Sequence, residues 1–463
     1  MMRKTFLMVS ILIVSFAFSD VRLTNDSGRS ELSFSGRNAV CTSDFSGNTY
    51  VVWSDDRSGD FEIYYKRRNA SSGSWESDTR ITNSTGYSRS PAVVVDVDAN
   101  LHVVWMDNRD GDWEIYWNKW YGSWSGDTRL TSSAGFSGFP DVCADSAGGI
   151  AIVWQDERDG NYEIYFRKWT SSGGWSSEVR LTNNEAPSMF PAISAEPGGK
   201  YIVVWQDKRD GNWEVYSREY DGSTWGTVTR MTDNPSDSWF PDVSVQNDNT
   251  ALLVWQDNAD GDWDILSRSR QAGTWGSVTP VANTGGQSCN PAVARNSSQF
   301  CIVWQETADD NVPKIMMRRF YGSTWSSTTT ITDAGSNSYF PSIATDSSNM
   351  FRVVWQDFRD GNHEIYYLPV DELLNTHEKI PDRVGIEIAV APNPFNEICR
   401  ISASVPDGTI KIEDITGKVV ARFNLNPGNN IILWHTEDIP SGTYFVHCIS
   451  SVGTDVKSIK LLK

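Results

Sequence analysis

The chain has 463 residues, with 40 Lys and Arg residues against 59 Asp and Glu residues and a formal net charge of −19. This excess of negative charge argues against nucleic-acid binding and against docking on an anionic membrane surface, because both need clustered cations. Trp, Tyr and Phe occur 21, 16 and 19 times, and such rigid side chains are typical of pleated sheets and binding surfaces.

The N-terminus has the pattern of an export signal. Arg3 and Lys4 precede an apolar run over residues 6–17, and small residues precede a cleavage position after Ser19. The run is shorter than the roughly 20 residues that a spanning helix needs. We therefore expect residues 1–19 to be a cleaved signal peptide rather than a retained anchor, and the mature chain to have no transmembrane segment.

A sequence repeat fills the middle of the chain. Each copy contains an apolar stretch that ends in Trp, and these residues are Trp53, Trp105, Trp154, Trp205, Trp255, Trp304 and Trp355. Alternating β-forming residues bounded by Gly, Asp, Asn and Ser predict four short strands in each copy. Four strands with a period near 50 residues are typical of a β-propeller blade.

The two ends of the repeat region predict ring closure. The mature chain begins with an isolated fourth strand at Val21–Thr24, and the seventh repeat ends after its third strand at Glu364–Tyr367. We expect these pieces to pair in one sheet, because closure removes exposed sheet edges. The predicted fold class is all-β: a seven-bladed β-propeller closed by the N-terminal strand, followed by a small C-terminal Ig-like β-sandwich.

The hairpin between the second and third strands carries a repeated charge motif. In the second repeat, period-two alternation around an Asp-Gly turn places Asp107, Arg109 and Glu114 on one side, with the guanidinium between two carboxylates. Paired carboxylates also serve glycoside hydrolysis, but five copies of one trio favour a structural ion network. The trios are Asp55/Arg57/Glu62, Asp107/Arg109/Glu114, Asp156/Arg158/Glu163, Asp207/Arg209/Glu214 and Asp357/Arg359/Glu364.

The fifth and sixth repeats depart from this motif. In the sixth, Lys314 is expected to restore the missing cation from the opposite strand. In the fifth, Ala259 replaces the arginine, and Ca²⁺, which prefers oxygen ligands, would relieve the resulting repulsion between carboxylates. The alternative is that these carboxyl groups are solvated or partly protonated. The candidate metal ligands are Asp257, Asp260, Asp262 and Asp264.

Aromatic residues precede the proline of several first strands. Because strand direction alternates, the loops into these strands are expected at the same end of the sheets as the Asp-Gly hairpins. Rings among carboxylates and hydroxyls would bind the faces of sugars; the alternative is that the rings pack between blades. The predicted ligand-binding residues are Phe139, Phe190, Trp239, Phe240, Tyr339 and Phe340.

Residues 20–370 resemble known propeller families. The run Asp207–Tyr216, followed by Arg230 to Thr232 and a strand led by Pro241, resembles the repeats of TolB-like propellers, which implies protein or glycan binding. The exported all-β repeat is also similar to the Asp-box sialidase superfamily. That resemblance implies an arginine triad, a Tyr–Glu nucleophile pair and an acidic Asp. No unique residues of this chain match those roles.

The C-terminal part reads as a separate β domain. Residues 371–385 form a charged linker, and residues 386–463 contain Pro392-Asn393-Pro394, the Asp414–Lys418 turn, Ser441–Tyr444 and a lysine-ended tail. These motifs resemble the type A sorting domain of the type IX secretion system; the alternative is an Ig-like accessory domain. The resemblance implies contact with the type IX secretion machinery and a location in the medium or on the outer-membrane surface of a Gram-negative-type bacterium.

Other motifs add little. The five His residues share no metal-ligand spacing, and Cys289/Cys301 and Cys399/Cys448 are the pairs that would form if disulfides are present. We therefore predict an exported, non-catalytic propeller that binds an extracellular glycan, polymer or protein on one rim, with no catalytic residue assigned. The alternative is a sialidase-like glycoside hydrolase. Apart from the Ca²⁺ considered above, no cofactor is predicted.

Overall fold

The computed structural model of the protein describes residues 20–33, 39–247, 249–308, 310–332, 337–370, 387–391, 398–405, 408–414, 418–425, 428–436, 439–450 and 453–461. The chain splits into two compact units, Met1–Leu374 and Asn375–Lys463. The predicted signal peptide (1–19) and linker (371–385) lie outside the described residues.

The first unit is built from antiparallel strands in every described repeat. In chain order they are β1 (Val21–Arg22), β2 (Ser30–Glu31), β3 (Cys41–Ser43), β4 (Thr49–Asp55), β5 (Glu62–Arg68), β6 (Thr79–Arg80), β7 (Ser88–Val95), β8 (Leu101–Asp107), β9 (Glu114–Trp120), β10 (Thr128–Arg129), β11 (Ser137–Ala144), β12 (Ile150–Asp156), β13 (Glu163–Thr170), β14 (Gly174–Trp175), β15 (Val179–Arg180), β16 (Ser188–Glu196), β17 (Lys200–Asp207), β18 (Glu214–Tyr220), β19 (Thr229–Arg230), β20 (Ser238–Asn247), β21 (Thr250–Asp257), β22 (Asp264–Gln271), β23 (Thr274–Ala282), β24 (Gln287–Arg295), β25 (Phe300–Thr307), β26 (Pro313–Phe320), β27 (Thr329–Thr330), β28 (Ser338–Thr345), β29 (Phe351–Asp357) and β30 (Glu364–Val370).

These strands form a repeated set of sheets. β7–β10, β16–β19, β20–β23 and β24–β27 are four-stranded, and β2–β6 and β11–β15 are five-stranded. The last sheet combines β28, β29 and β30 with β1, and Val21 lies opposite Tyr367. The first unit is therefore all-β with repeated four-stranded sheets, as in a β-propeller, and the N-terminal strand pairs where the sequence predicted.

Apolar second strands form the core of each sheet. The repeat tryptophans on these strands are all 0% exposed, and neighbouring sheets contribute side chains to shared clusters, such as Trp105 with Val51 and Tyr50. Burying such large aromatic surfaces is the main stabilising contribution expected of this fold. Second strands such as β4, β8 and β12 are buried along their whole length. Their packing therefore sets the position at which the following hairpin begins.

The second unit consists of two antiparallel sheets. One contains β31 (Glu387–Ala391), β32 (Ile398–Val405) and β35 (Gly428–His435). The other contains β33 (Gly408–Asp414), β34 (Val419–Leu425), β36 (Gly442–Ser450) and β37 (Gly453–Leu461). Ile410, Ile412, Trp434 and Val446 are buried in its core.

The cysteines and the absence of membrane-spanning helices among the described residues can be compared with the sequence predictions. Cys289 has a free thiol, so the Cys289/Cys301 disulfide is not formed. The side chain of Cys399 lies outside the described ones, and its pairing stays a prediction. Within the described ranges there is no helix with the length and apolar character that crossing a bilayer requires.

Candidate functional site

Two sets of loops form one end of the repeated sheets, which we call the hairpin rim. It comprises the hairpin loops (56–61, 108–113, 157–162, 208–213, 258–263 and 358–363) and the entry loops (81–87, 130–136, 181–187, 231–237 and 283–286). Backbone hydrogen bonds join them: Ser88 N donates to the carbonyl of Phe61 at 2.7 Å, and Ser137 N donates to that of Trp113 at 2.8 Å. The two loop sets therefore share one end, as the strand order predicted.

A buried aspartate anchors each regular hairpin. Asp107 is 0% exposed and accepts hydrogen bonds from Trp105 Nε1 at 3.0 Å, Ser88 Oγ at 2.7 Å and Arg109 Nη2 at 2.7 Å. Burial alone would raise the pKa of Asp107, but the bonds from Arg109, Ser88 and Trp105 outweigh it and hold the pKa below its usual value. In the first repeat Ser30 Oγ binds Asp55 at 2.8 Å.

The ion pairs of the charged trios differ from the predicted ones. Asp107 and Glu114 do lie opposite each other, but Arg109 bridges Asp107 and Asp127, at 2.7 and 2.8 Å. Arg109 follows Asp107 by only two residues, so it folds back onto that carboxylate. Glu114 is instead bound by fourth-strand residues.

A second arginine, from the fourth strand, binds the glutamate. Arg129 Nη1 lies 3.0 Å from Asp110 and Arg129 Nη2 lies 2.5 Å from Glu114, while Thr131 Oγ1 donates to Glu114 at 2.5 Å. We call this arrangement the arginine clamp. It recurs with the residues Arg22 between Asp360 and Glu364, Arg180 between Asp159 and Glu163, and Arg230 between Asp210 and Glu214. In the first repeat Arg80 binds Glu62 at 2.5 Å.

The fifth repeat keeps the carboxylates of the clamp but not its cation. Asp260 and Asp264 correspond to Asp110 and Glu114, whereas Pro280 stands where Arg129 stands in the second repeat. Asp264 is 6% exposed. Within the described residues, its Oδ1 atom has no hydrogen-bond partner.

This environment changes the acidity of Asp264. Burial raises its pKa to about 6, and the negative charges of Asp260, Asp262 and Glu306 add to the effect. The backbone of Thr284 donates one hydrogen bond to Asp264, which lowers the pKa by less than these effects raise it. Asp264 thus titrates near neutral pH, unlike the hairpin aspartates of the regular repeats.

The four candidate calcium ligands of the fifth repeat differ in their surroundings. Asp257 is engaged by Ser238 Oγ at 2.7 Å and Trp255 Nε1 at 3.1 Å, as in the regular repeats. In the described part of the chain, no group of three or more His, Cys, Asp or Glu side chains is placed to hold a metal ion. The four carboxylates Asp257, Asp260, Asp262 and Asp264 share a hairpin but do not converge on one point.

The sixth repeat also differs from its prediction. Lys314 lies opposite Glu306 in the sheet, but its ammonium group binds Asp310 at 2.6 Å. Glu306 is held by hydroxyl and indole donors, including Ser288 Oγ at 2.5 Å and Trp304 Nε1 at 3.0 Å. The opposite-strand cation therefore forms a local surface pair and does not neutralise the buried carboxylate.

The predicted aromatic residues lie on the hairpin rim next to a bulge in each first strand. Phe139, Phe190, Phe240 and Phe340 have φ angles of 52°, 53°, 53° and 51°, a conformation that side-chain-bearing residues rarely adopt. The rings of Phe139 and Phe190 are 5.1 Å apart, and those of Phe190 and Phe240 are 5.2 Å apart. These half-buried rings form a row that crosses from one sheet to the next.

Trp239 and Tyr339 have different surroundings. Trp239 packs against Trp263 with ring centroids 4.7 Å apart, and its Nε1 atom is buried without a hydrogen-bond partner among the described residues. Tyr339 lies 6.2 Å from Phe340, and burial raises its pKa. The predicted residue Trp239 thus forms a tilted pair with Trp263, which the sequence analysis did not single out.

A cleft on the rim contains residues that the sequence analysis missed. It has a volume of about 440 Å³ and is lined by Arg29, Phe61, Tyr87, Arg89, Met106, Trp113 and Phe139. The guanidinium of Arg89 lies 3.7 Å from the centroid of Phe61, and Tyr87 is 42% exposed. One sequence feature could have indicated this cleft: an aromatic residue just before the third strand recurs in five repeats. These residues are Phe61, Trp113, Tyr162, Trp213 and Trp263.

A second cavity lies between the first strands of the repeats. It has a volume of about 430 Å³, and Asp141 and Asp242 are among its lining residues. Both carboxylates accept backbone hydrogen bonds, from Ile193 N at 2.9 Å and Val293 N at 2.8 Å. They therefore join neighbouring first strands.

Comparison with solved structures supports the fold. An ulvan lyase from a polysaccharide lyase family has a TM-score of 0.57 and 12% identity, covering 76% of this chain and 96% of that one. The polysaccharide lyase Uly1 has a TM-score of 0.50 and 11% identity, with coverages of 72% and 90%. A fungal alcohol oxidase has a TM-score of 0.50 and 12% identity, with coverages of 96% and 100%. At these identities the likeness extends to the fold alone.

Sequence comparisons identify the C-terminal part. A search of curated proteins finds no significant match to the chain. Residues 389–461 match the secretion system C-terminal sorting domain, in agreement with the Pro-Asn-Pro and Ser-Gly-Thr-Tyr motifs. The chain thus carries a type IX sorting domain, interacts with the type IX secretion machinery, and is secreted or displayed on the outer-membrane cell surface.

Proposed function

We propose that this protein is an exported, non-catalytic β-propeller that binds an extracellular glycan on its hairpin rim. The observation that carries the proposal is the aromatic cleft of Phe61, Tyr87 and Trp113, with Arg29 and Arg89 beside it. Aromatic faces stack on the C–H faces of sugars, and guanidinium groups donate several hydrogen bonds to hydroxyl oxygens.

The architecture that we propose is a closed ring of seven blades. First strands of successive repeats contact one another in the order β3, β7, β11, β16, β20, β24 and β28, and β28 contacts β3. Pairing of β1 with β30 supplies the fourth strand of the seventh sheet. We assign residues 1–19 to a signal peptide, 20–370 to the propeller, 371–385 to a linker and 386–463 to an Ig-like sorting domain.

The two arginines of the cleft are held in place by acidic partners. Arg29 binds Asp56 at 2.8 Å, and Arg89 binds Glu31 at 3.4 Å. Each guanidinium has five N–H donors, so donors remain for a ligand after these pairs form. Such pre-positioned groups lower the entropy lost on binding.

The cleft continues into the predicted aromatic face. Phe139 lines the cleft and contacts Phe190, which contacts Phe240. We propose Trp239, Tyr339 and Phe340 as the further part of this surface. An extended row of rings suits a polymer of sugars better than a single small ligand.

The acid groups of the hairpins favour binding over turnover. A sialidase-like hydrolase needs an acid with a raised pKa beside a Tyr or Arg cluster. Bonds from Arg109 and its equivalents lower the pKa of the hairpin aspartates, and Asp264 is surrounded by other carboxylates. Polysaccharide lyases are among the proteins with a similar fold, and we propose a glycan as the class of ligand.

A glycan-binding experiment tests the proposal. The mature protein is screened on immobilised glycans, with Tyr87→Ala/Trp113→Ala as the variant and Tyr121→Ala as the control. Tyr121 is 60% exposed at the opposite end of its strand. We expect the double variant to lose at least about tenfold in affinity, since each aromatic contact contributes roughly 0.5–1.5 kcal/mol beyond its buried area. Equal binding by all three proteins, or turnover of a bound glycan, would contradict the proposal.

A further inference from the structure

We propose that the fifth repeat contains a subsite for a cationic group, the primary ammonium of an amino sugar, between Asp260 and Asp264. This inference rests on the proposed glycan-binding function and names a class of sugar for it. The subsite is the arginine clamp with its arginine missing.

The regular repeats define what the clamp binds. In the second repeat the Arg129 guanidinium contacts Asp110 at 3.0 Å and Glu114 at 2.5 Å. The same two-carboxylate arrangement holds Arg22, Arg180 and Arg230. The fold therefore positions a pair of carboxylates around one cation, at an equivalent place in four repeats.

The fifth repeat has lost every side chain that neutralises this pair. Pro280 replaces the arginine and Ala282 replaces the threonine, while Leu266 stands where Tyr116 donates to Asp110 in the second repeat. Both carboxylates remain, and Oδ1 of Asp264 is without a partner among the described residues. A cation from outside the chain would replace the missing intramolecular one.

The surroundings favour a compact ammonium group on a sugar. Asp260 and Asp262 are exposed beside the buried Asp264, so the surface next to Asp264 is negative, and the whole chain carries a charge of −19. Trp263, next to Asp264 in sequence, packs against Trp239 in a tilted arrangement, which offers an aromatic surface to a sugar ring.

Calorimetry with two matched ligands tests the subsite in the mature, full-length protein. Glucosamine oligomers and N-acetylglucosamine oligomers of equal length share one sugar backbone and differ in N-acetylation, which removes the positive charge at nitrogen. We expect the glucosamine oligomer to bind about tenfold more tightly, since a charge-assisted hydrogen bond contributes roughly 1.5–3 kcal/mol. Equal affinity for the two oligomers would overturn the inference, as would tighter binding of an oligoarginine peptide.

Two variants locate the effect. Pro280→Arg restores the clamp arginine and Asp264→Asn removes the charge; both are expected to reduce glucosamine binding to the level of the acetylated oligomer. Val278→Arg adds the same charge at an exposed position two residues away and is expected to change the affinity less than twofold. If Pro280→Arg and Asp264→Asn both fold and leave the preference intact, the subsite is elsewhere.

The outcomes separate this inference from the proposed function. If Tyr87→Ala/Trp113→Ala abolishes glycan binding while Pro280→Arg changes nothing, the cleft stands and the subsite fails. If the glucosamine preference responds to Pro280→Arg but not to the cleft variant, the subsite stands and the cleft fails. A higher melting temperature of Pro280→Arg, together with lost glucosamine binding, would support the restored clamp.

Discussion

The second and fifth repeats share strands, register and a hairpin, but they differ in electrostatics. In the second, Arg129 and Thr131 both donate hydrogen bonds to Glu114, which is fully buried. In the fifth, Pro280 and Ala282 leave Asp264 facing other carboxylates. The comparison teaches that one scaffold position serves stability when the chain supplies the cation, and becomes available for recognition when it does not.

The largest effect is expected from a substitution that breaks the arginine clamp of the second repeat. Arg129→Ala leaves Glu114 buried without its cation, so the free energy of unfolding should fall by about 3 kcal/mol. Urea unfolding measures this change. Arg67→Ala, which removes a surface pair with Glu76, is the control and should cost less than about 1 kcal/mol. Equal losses in the two variants would contradict the clamp's role.

The opposite change is expected in the fifth repeat. Asp264→Asn removes a repelled carboxylate and should stabilise the protein by about 1–3 kcal/mol at pH 8, the cost of an unsatisfied buried group. The folded-state pKa of about 6 lies above the unfolded value. The folded state therefore binds the proton more tightly, and ionisation destabilises it as pH rises from about 4 to 6.

Melting temperatures measured from pH 4 to pH 8 test this sign. The wild type and Asp264→Asn should melt together near pH 4, diverge in favour of the variant as the pH rises to about 6, and stay apart above it. Asp260, Asp262 and Glu306 are the acidic groups that face Asp264, and they are unchanged in both proteins. Curves that stay parallel over the whole range would refute the assignment.

The smallest expected effect belongs to the sixth repeat. Lys314 pairs with Asp310, whose side chain is 49% exposed, so Lys314→Ala should change the free energy of unfolding by less than about 1 kcal/mol. The buried Glu306 keeps its hydroxyl and indole donors in this variant. A loss as large as that of Arg129→Ala in urea unfolding would mean that Lys314 neutralises Glu306 after all.

The repeat period and the alternation of polar and apolar residues were sufficient to predict much of the fold. The spacing of the buried tryptophans, the four strands of each repeat and the pairing of Val21 with the end of the chain's repeats all follow from local pattern and edge closure. The shared end of the hairpin and entry loops followed from strand direction alone. The strands depend on neighbouring residues, and the long-range pairing of Val21 follows from matching the two incomplete ends of the repeat.

The pairing of the charged side chains could not be predicted as well as the fold. Arg109 and Arg129 are both close to Glu114 in sequence, and a short two-residue fourth strand, β10, decides which one reaches it. The cleft was missed because its members come from three repeats, with Arg29, Tyr87 and Phe139 far apart in the chain. Such sites depend on contacts between sheets, which periodicity does not encode.

The central claim, that the hairpin rim is the glycan-binding face, can be mapped directly by hydrogen exchange. The mature protein is exchanged with and without a saturating glycan from the binding screen. We predict that protection increases at the hairpin loops 56–61 and 108–113 and at the entry loop 81–87. Protection confined to the opposite end, at loops 96–100 and 121–126, would contradict the account.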